Sequence, residues 1–425
     1  MRLTLDSTIV RAGVRRRFKR IIGVVAILGP GLIAANAGND AGGIVTYASA
    51  GAEFAYKMLF VMLLVTVALV VVQEMSARLG ATTGNGLVSL IREQFSLRLA
   101  TFSVVCLLVA NLGLVVSEFA GIGAALELLG VSRYVAVPMA AFGVWAVVVL
   151  GSYRYAERVF ILLSLVFLAY PISALLGHPH WGSVASNTII PHLSTSKEFL
   201  FVAVALIGTT ITPYMQLYQA AAVVERGGTA QDLRAIRIDS VTGAIFANVI
   251  SMTIIVATAA AIGGRGPLNS AAEAAQALVP VAGDSAKTLF AVGLLGASLL
   301  AAAVVPLATS YALAEAVGAE RSVSRKFRDA KLFIGLFTVQ IFVGAAIALA
   351  PGNLIKLLLR TQFLNGLISP IMLTFILVLA NRKSLMGDNA NTPRFRIVAT
   401  VCTIGVGILA AFVAVQQILA LFGIG

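Results

Sequence analysis

Apolar runs long enough to cross a bilayer, about 20 residues each, recur along the whole chain. They read at 21–50 (broken), 57–79, 99–129, 134–150, 159–176, 199–224, 240–262, 288–317, 332–350, 364–380 and 397–421, eleven in all. Backbone N–H and C=O groups in hydrocarbon have no water to bond, so runs of this length are expected as helices. Hydrophobic residues make up 59% and charged residues 12%. A soluble domain is nearer a quarter charged. The expected class is an all-α integral membrane protein, embedded in the lipid bilayer of the cell membrane and crossing it many times. The basic start runs into a long apolar span without a small-residue cleavage site, so no cleavable signal peptide is expected.

Charge sets the orientation. The formal net charge is +13, from 31 Lys and Arg against 18 Asp and Glu. If the amino terminus faces the cytoplasm, only Lys57, Arg133, Lys197, Arg265, Lys287, Lys356 and Arg360 fall outside. All other basic residues then lie inside, as the positive-inside bias requires. Eleven spans put the carboxyl terminus outside. The alternation excludes nucleic acid as the reason for the basic balance. The Arg15–Arg20 cluster and the basic segment Gly318–Lys331 read as cytoplasmic anchors.

No Walker loop, HExxH, CxxC or GxSxG pattern is present, so no catalytic residues, enzyme activity or cofactor are expected. Cys106 and Cys402 sit in apolar runs and read as small core residues. His178, His180 and His192 share one hydrophilic loop and read as solvated. No obligatory protein partner is implied.

One apolar run contains a charge. Gly38-Asn39-Asp40-Ala41-Gly42-Gly43 places a carboxylate among three glycines. A charge at bilayer depth costs a few kcal/mol and is paired, hydrated or metal-bound. Each glycine weakens the helix there by roughly 1 kcal/mol relative to alanine. A helix broken beside a buried carboxylate frees carbonyls next to an anion, which is how secondary transporters build cation sites. A packing kink with Asp40 paired to another helix explains this stretch equally well. The sixth span decides between them. It reads Gly208-Thr209-Thr210-Ile211-Thr212-Pro213-Tyr214-Met215, and Pro213 removes a helical donor. The first and sixth spans open two five-span halves. Interruptions at matching places in two halves point to inverted repeats around a central site.

These residues resemble the NRAMP divalent-metal transporters. The resemblance rests on Leu28-Gly29-Pro30-Gly31 with Asp40-Ala41-Gly42-Gly43, and on Gln73 with Arg78-Leu79-Gly80 and Thr83-Gly84. Glu118-Phe119-Ala120-Gly121, Ile238-Asp239-Ser240 and Leu385-Met386-Gly387 add to it. It implies a LeuT-type fold of two inverted five-helix repeats plus one helix. The expected divisions are a basic amino-terminal segment at 1–20, a first repeat at 21–176 and an extracellular loop at 177–198. A second repeat at 199–381 and a final loop and helix at 382–425 complete the chain.

Departures from the family pattern carry the functional reading. The family's Asp-Pro-Gly-Asn becomes Asp40-Ala41-Gly42-Gly43, so Asp40 stays and the asparagine ligand becomes Gly43. In the sixth span, the alanine whose carbonyl binds metal corresponds to Thr209 and the methionine ligand to Thr212. The two histidines become Tyr214 and Gln219, and the acid before Glu118 becomes Val115. The arginines of the ninth span are missing between Leu332 and Ala350.

Replacing a soft thioether by a hydroxyl removes the preference for softer metals. Magnesium dehydrates reluctantly and often keeps water in its site. The pattern is similar to the NRAMP-related magnesium transporters. Asp40 is the expected anionic anchor, Thr209 and Thr212 the polar wall, and Gly43 a source of space. Gln362 matches a glutamine lining the family site. Asn36, Tyr214, Asn365 and Glu118 are weaker pathway candidates. The expected function is uptake of Mg2+, partly hydrated, with Mn2+ also accepted, by alternating access. With both histidines and the Val115-position acid gone, proton coupling is not expected. Two alternatives stand beside this reading. One is a proton-coupled Mn2+/Fe2+ carrier, and the other is an amino-acid carrier of the same fold, against which Asp40 argues by repelling a substrate carboxylate.

Overall fold

The computed structural model describes residues 40–150, 165–317 and 331–421. Every long element in this part of the chain is helical. The helices used below are α1 (Ala41–Phe54), α2 (Leu59–Thr83), α3 (Leu97–Leu128), α4 (Arg133–Leu150), α5 (Lys197–Thr210) and α6 (Pro213–Glu225). They continue as α7 (Leu233–Ile262), α8 (Ala286–Val317), α9 (Lys331–Ala348), α10 (Leu354–Asn381) and α11 (Pro393–Leu421). Short helices fill the connections, including Trp181–Ile189 within the loop expected at 177–198. Among the described residues nine segments are long and apolar enough to span a membrane, α5 and α6 together forming one of them. Residues 1–39, the start of the fifth run and the basic segment 318–330 lie outside the described residues, and so does Asn36.

The tenth run begins earlier than its hydropathy suggests. It was expected from residue 364, yet α10 starts at Leu354 and takes Lys356 and Arg360 into its first two turns. Asn353 caps it, its side chain accepting from the Lys356 N–H at 3.1 Å. Long cationic side chains at a helix end reach the interface while their stems stay in apolar surroundings.

The outermost helices bury little of themselves. In α4 and α11 only 28% of the apolar window is buried, and Met139, Phe142, Val401 and Ile408 face outward. The α5–α6 segment is the opposite, at 94% buried. Around it α10 packs on α3 and α5, α1 packs on α7, α5 and α10, and α2 packs on α6 and α7. Two glycines let the central helices approach. A side chain at Gly42 would run into the Gln362 amide, and one at Gly208 into the Gln362 carbonyl. The most buried segment of the bundle therefore carries the backbone interruption, and α10 is pressed against it.

Candidate metal site

Asp40 is the N-cap of α1, with φ −69° and ψ 175°. Its Oδ1 accepts from the Gly43 N–H at 2.6 Å. Aspartate is a favoured N-cap, and the partial positive charge of the helix terminus stabilises its carboxylate. Gly43 was expected to provide only space, and it also supplies the donor that orients the anchor. The second oxygen, Oδ2, is buried without a protein partner.

Glu118, from the middle of α3, meets the same helix end. Its Oε2 accepts from the Ala41 N–H at 3.4 Å, and Oε1 has no partner. Both carboxylates are buried, Asp40 at 2% exposure and Glu118 at 0%, close enough for each to feel the other's charge. Arg78–Glu74, Arg133–Glu127 and Arg237–Glu74 form ion pairs elsewhere in the bundle, and neither central acid is paired with a described basic residue. A buried charge left without a counter-charge is strongly unfavourable. Among the described residues no side chain supplies the counter-charge that a bound cation or a proton would provide.

The break between α5 and α6 supplies neutral oxygens. In an unbroken helix the Thr209 carbonyl would accept from residue 213, which is proline and has no N–H. The Thr209 and Thr212 hydroxyls are both buried with no partner. Thr212 caps α6 by position, but its side chain makes no cap bond. The break is held from two sides. Ser369 of α10 donates to the Ile211 carbonyl at 2.8 Å, and the Tyr47 hydroxyl of α1 lies 3.1 Å from Thr210 Oγ1.

Gln362 closes the fourth side. It is fully buried, and its amide faces the Asp40 carboxylate without a well-formed hydrogen bond to it. Asn365, one turn on, donates from Nδ2 to the Thr361 carbonyl at 3.0 Å and keeps Oδ1 unpartnered. Tyr214 is buried near both Asp40 and Glu118. Asp40, Gly43 and Glu118 thus meet at the start of α1, Gln362 lies against Gly42 and Gly208, Thr209 and Thr212 flank the α5–α6 break that Tyr214 follows, and Asn365 is on the adjoining turn of α10.

Three other buried polar residues nearby or on the adjoining helices escape a reading by motif. Ser117 turns a buried, unpartnered hydroxyl to Gly42, 2.7 Å from where a Cβ would stand. Tyr47 ties α1 to the α5–α6 break. Gln73, quoted above only as part of a motif, is wholly buried with both amide atoms unpartnered. The signal available for all three is a polar residue in an apolar helix, which interhelical packing explains as readily.

Among the described residues no three His, Cys, Asp or Glu side chains gather as a metal cluster. The donor set is one capped carboxylate, a second acid behind it, and neutral oxygens. Hard oxygen ligands of this kind suit Mg2+, Ca2+ and Mn2+.

Residues 31–416 match the family described as natural resistance-associated macrophage protein-like. A divalent metal cation transporter MntH of Ralstonia nicotianae is 30% identical over 411 residues, covering 92% of this chain and 91% of its own. The MntH of Aeromonas hydrophila is 26% identical, covering 89% of this chain and 91% of its own. A solved manganese transporter of Eremococcus coleocola superposes with a TM-score of 0.75 at 21% identity, over 94% of this chain and 88% of that one. The inward-facing Mhp1 transporter superposes at 0.54 with 13% identity, over 92% and 91% of the two chains, a likeness of fold alone. With its helical architecture, the break between α5 and α6 and a match across most of its length, this chain is a LeuT-type membrane protein and belongs to the Nramp family.

Proposed function

We propose that the protein carries divalent metal cations into the cell by alternating access, Mg2+ before Mn2+, and without obligatory proton coupling. One observation carries this reading. The buried Asp40 carboxylate keeps Oδ2 unpartnered among the described residues, and the side-chain oxygens of Thr209, Thr212 and Gln362 are likewise buried and unpartnered, with no sulfur or imidazole among them. The relatives named as divalent metal cation transporters support the cargo class and a transporter rather than an enzyme. The oxygen-only donor set supports Mg2+, which holds its water strongly and fits a roomy site with one anionic anchor. The Lys and Arg asymmetry supports a cytoplasmic amino terminus.

Reduced proton coupling follows from what surrounds Glu118. One turn before it, Val115 packs against Gly344 of α9, and between Leu332 and Ala348 α9 has no ionisable side chain. A proton leaving Glu118 toward α9 meets hydrocarbon. The second reading is a proton-coupled Mn2+ or Fe2+ carrier. It rests on Glu118 itself, a buried acid with Oε1 free beside the anchor. Uptake by proteoliposomes with a pH dye inside separates the two. The expected result is Mg2+ and Mn2+ entry with no acidification of the lumen. Mn2+ entry with acidification and exclusion of Mg2+ would establish the second reading.

A further inference from the structure

Gln73 is, with Gln362, one of two buried amides left wholly unpaired among the described residues. It is 0% exposed, and neither Oε1 nor Nε2 has a partner. Leaving a buried amide unmatched costs a few kcal/mol, so its direction matters. Ser76 Oγ lies 3.4 Å from Gln216 Oε1, and Gly80 abuts the Ala220 carbonyl. Both contacts have the same residue offset, so α2 and α6 run side by side in parallel. Residues 73, 76, 77 and 80 share one helix face by spacing. Gln73 therefore looks at α6, one turn above the Ser76–Gln216 contact and level with the break at Thr212–Pro213.

Thr212, at the break itself, has a buried hydroxyl with no partner among the described residues, and one turn on Gln216 of α6 stands beside Ser76. Gln216 is 1% exposed, and its Nε2 has no partner. Rotating that amide by half a turn exchanges its nitrogen and oxygen. The oxygen is then the unpaired atom, and the nitrogen can donate to Ser76.

We infer that Thr212, Gln73, Ser76 and Gln216 form a second, uncharged station for a hydrated divalent cation, between the Asp40 site and the ends of α2 and α6. The inference rests on the metal-transport reading above. A hydrated ion presents water hydrogens outward, and amide and hydroxyl oxygens accept them. Because the station has no formal charge, it holds the ion more weakly than Asp40 does. It receives an ion leaving the anchor and lets it go. Thr212 belongs to both sites and joins them.

The test uses purified full-length protein, with Mn2+ binding measured by calorimetry in detergent and Mg2+ uptake measured in proteoliposomes. Gln73→Leu and Gln216→Leu should each lower the maximal uptake rate ~10-fold, about one hydrogen bond in the release step, and leave Mn2+ affinity within ~3-fold. Gln73→Glu puts a charge in the station and should do the reverse for affinity: tighter Mn2+ binding, with slower turnover. Uptake rates unchanged in both leucine variants would overturn the second station. So would loss of Mn2+ binding in step with rate in well-folded variants, which would make Gln73 part of the Asp40 site. Should the leucine variants fail to give a cooperative melt, Gln73→Glu decides. An unaltered Mn2+ affinity there overturns the inference. Wild-type protein that binds neither ion would sink the transport reading together with the station. Wild-type binding with indifferent Gln73 variants would sink the station alone.

Discussion

At Asp40 the two carboxylate oxygens have separate duties. Oδ1 is held by the Gly43 N–H, and Oδ2 stays buried with no partner among the described residues. Asp40→Asn keeps a capping oxygen, so the helix start should survive. The variant removes the charge that binds the cation, and Mg2+ uptake should fall at least ~100-fold, the scale of losing a charge-assisted contact of about 3 kcal/mol. Radiotracer or fluorescent-dye uptake, with a thermal melt to confirm folding, measures this. Retained uptake would mean that the carboxylate serves structure alone. Thr212→Met tests the softness of the site. A thioether in place of the hydroxyl should shift competition toward Mn2+ and Cd2+ and away from Mg2+. The shift should be partial, because Gly43 still contributes no side-chain ligand. A competition series in which the order of ions does not change would count against the proposed role of Thr212.

At the scale of helices, the interruption between α5 and α6 is a backbone feature caused by one residue. Pro213→Ala restores an N–H that the Thr209 carbonyl can accept. We expect the two short helices to move toward one continuous helix, with Mg2+ uptake reduced at least ~10-fold while folding is kept, as for the loss of about 1.4 kcal/mol. Uptake equal to wild type would show that Ser369 and Tyr47 hold the break open without the proline. A second element-level device ties α2 to α7 and to the segment before α11. Glu74 takes Arg78 at 2.9 Å and Arg237 at 2.7 Å, and Arg78 also donates to the Asn389 carbonyl and to Asn391 Oδ1. The Arg78 side chain is 2% exposed and the Arg237 side chain 50%. Glu74→Ala leaves Arg78 buried without its partner, a cost of about 3–5 kcal/mol. Arg237→Ala removes only the half-exposed partner and should cost under about 1 kcal/mol. Thermal melts in detergent should show a large drop for the first and a small one for the second. Equal drops would contradict this account of the cluster.

On the uncoupled reading proposed above, the membrane potential is the chief driving force for the molecule as a whole. Moving one charge through 100 mV is worth about 2.3 kcal/mol, so a divalent ion gains about twice that. Mg2+ uptake should therefore rise steeply when a potassium diffusion potential makes the liposome interior negative, and should hardly change between pH 5.5 and 7.5. Uptake that follows the pH gradient at zero potential would favour the proton-coupled reading.

Much of this was legible in the chain itself. Spans of about 20 apolar residues specify helices, because lipid offers a backbone no other partner. The charge in the first span marked where α1 begins, and the proline in the sixth where α6 begins. Glu74 and Arg78 stand four residues apart, the spacing that brings two side chains to one helix face, so their pairing is local. Other features depend on which helices meet. Ser117, Tyr47 and Gln73 are ordinary polar residues in apolar helices until α1, α5, α6 and α10 converge on them. The early start of α10 was hidden because Lys356 and Arg360 look like loop residues to a hydropathy reading. The Gly43 N–H as the orienting donor of Asp40 needed the helix to begin where it does. Sequence alone determined the number of apolar crossings it can form, their interruptions and the chemistry of the anchor, since each depends on neighbours along the chain. Only the tertiary structure decided which polar atoms remain unpaired around that anchor, because a hydrogen bond or its lack between helices depends on residues far apart in sequence and close in space.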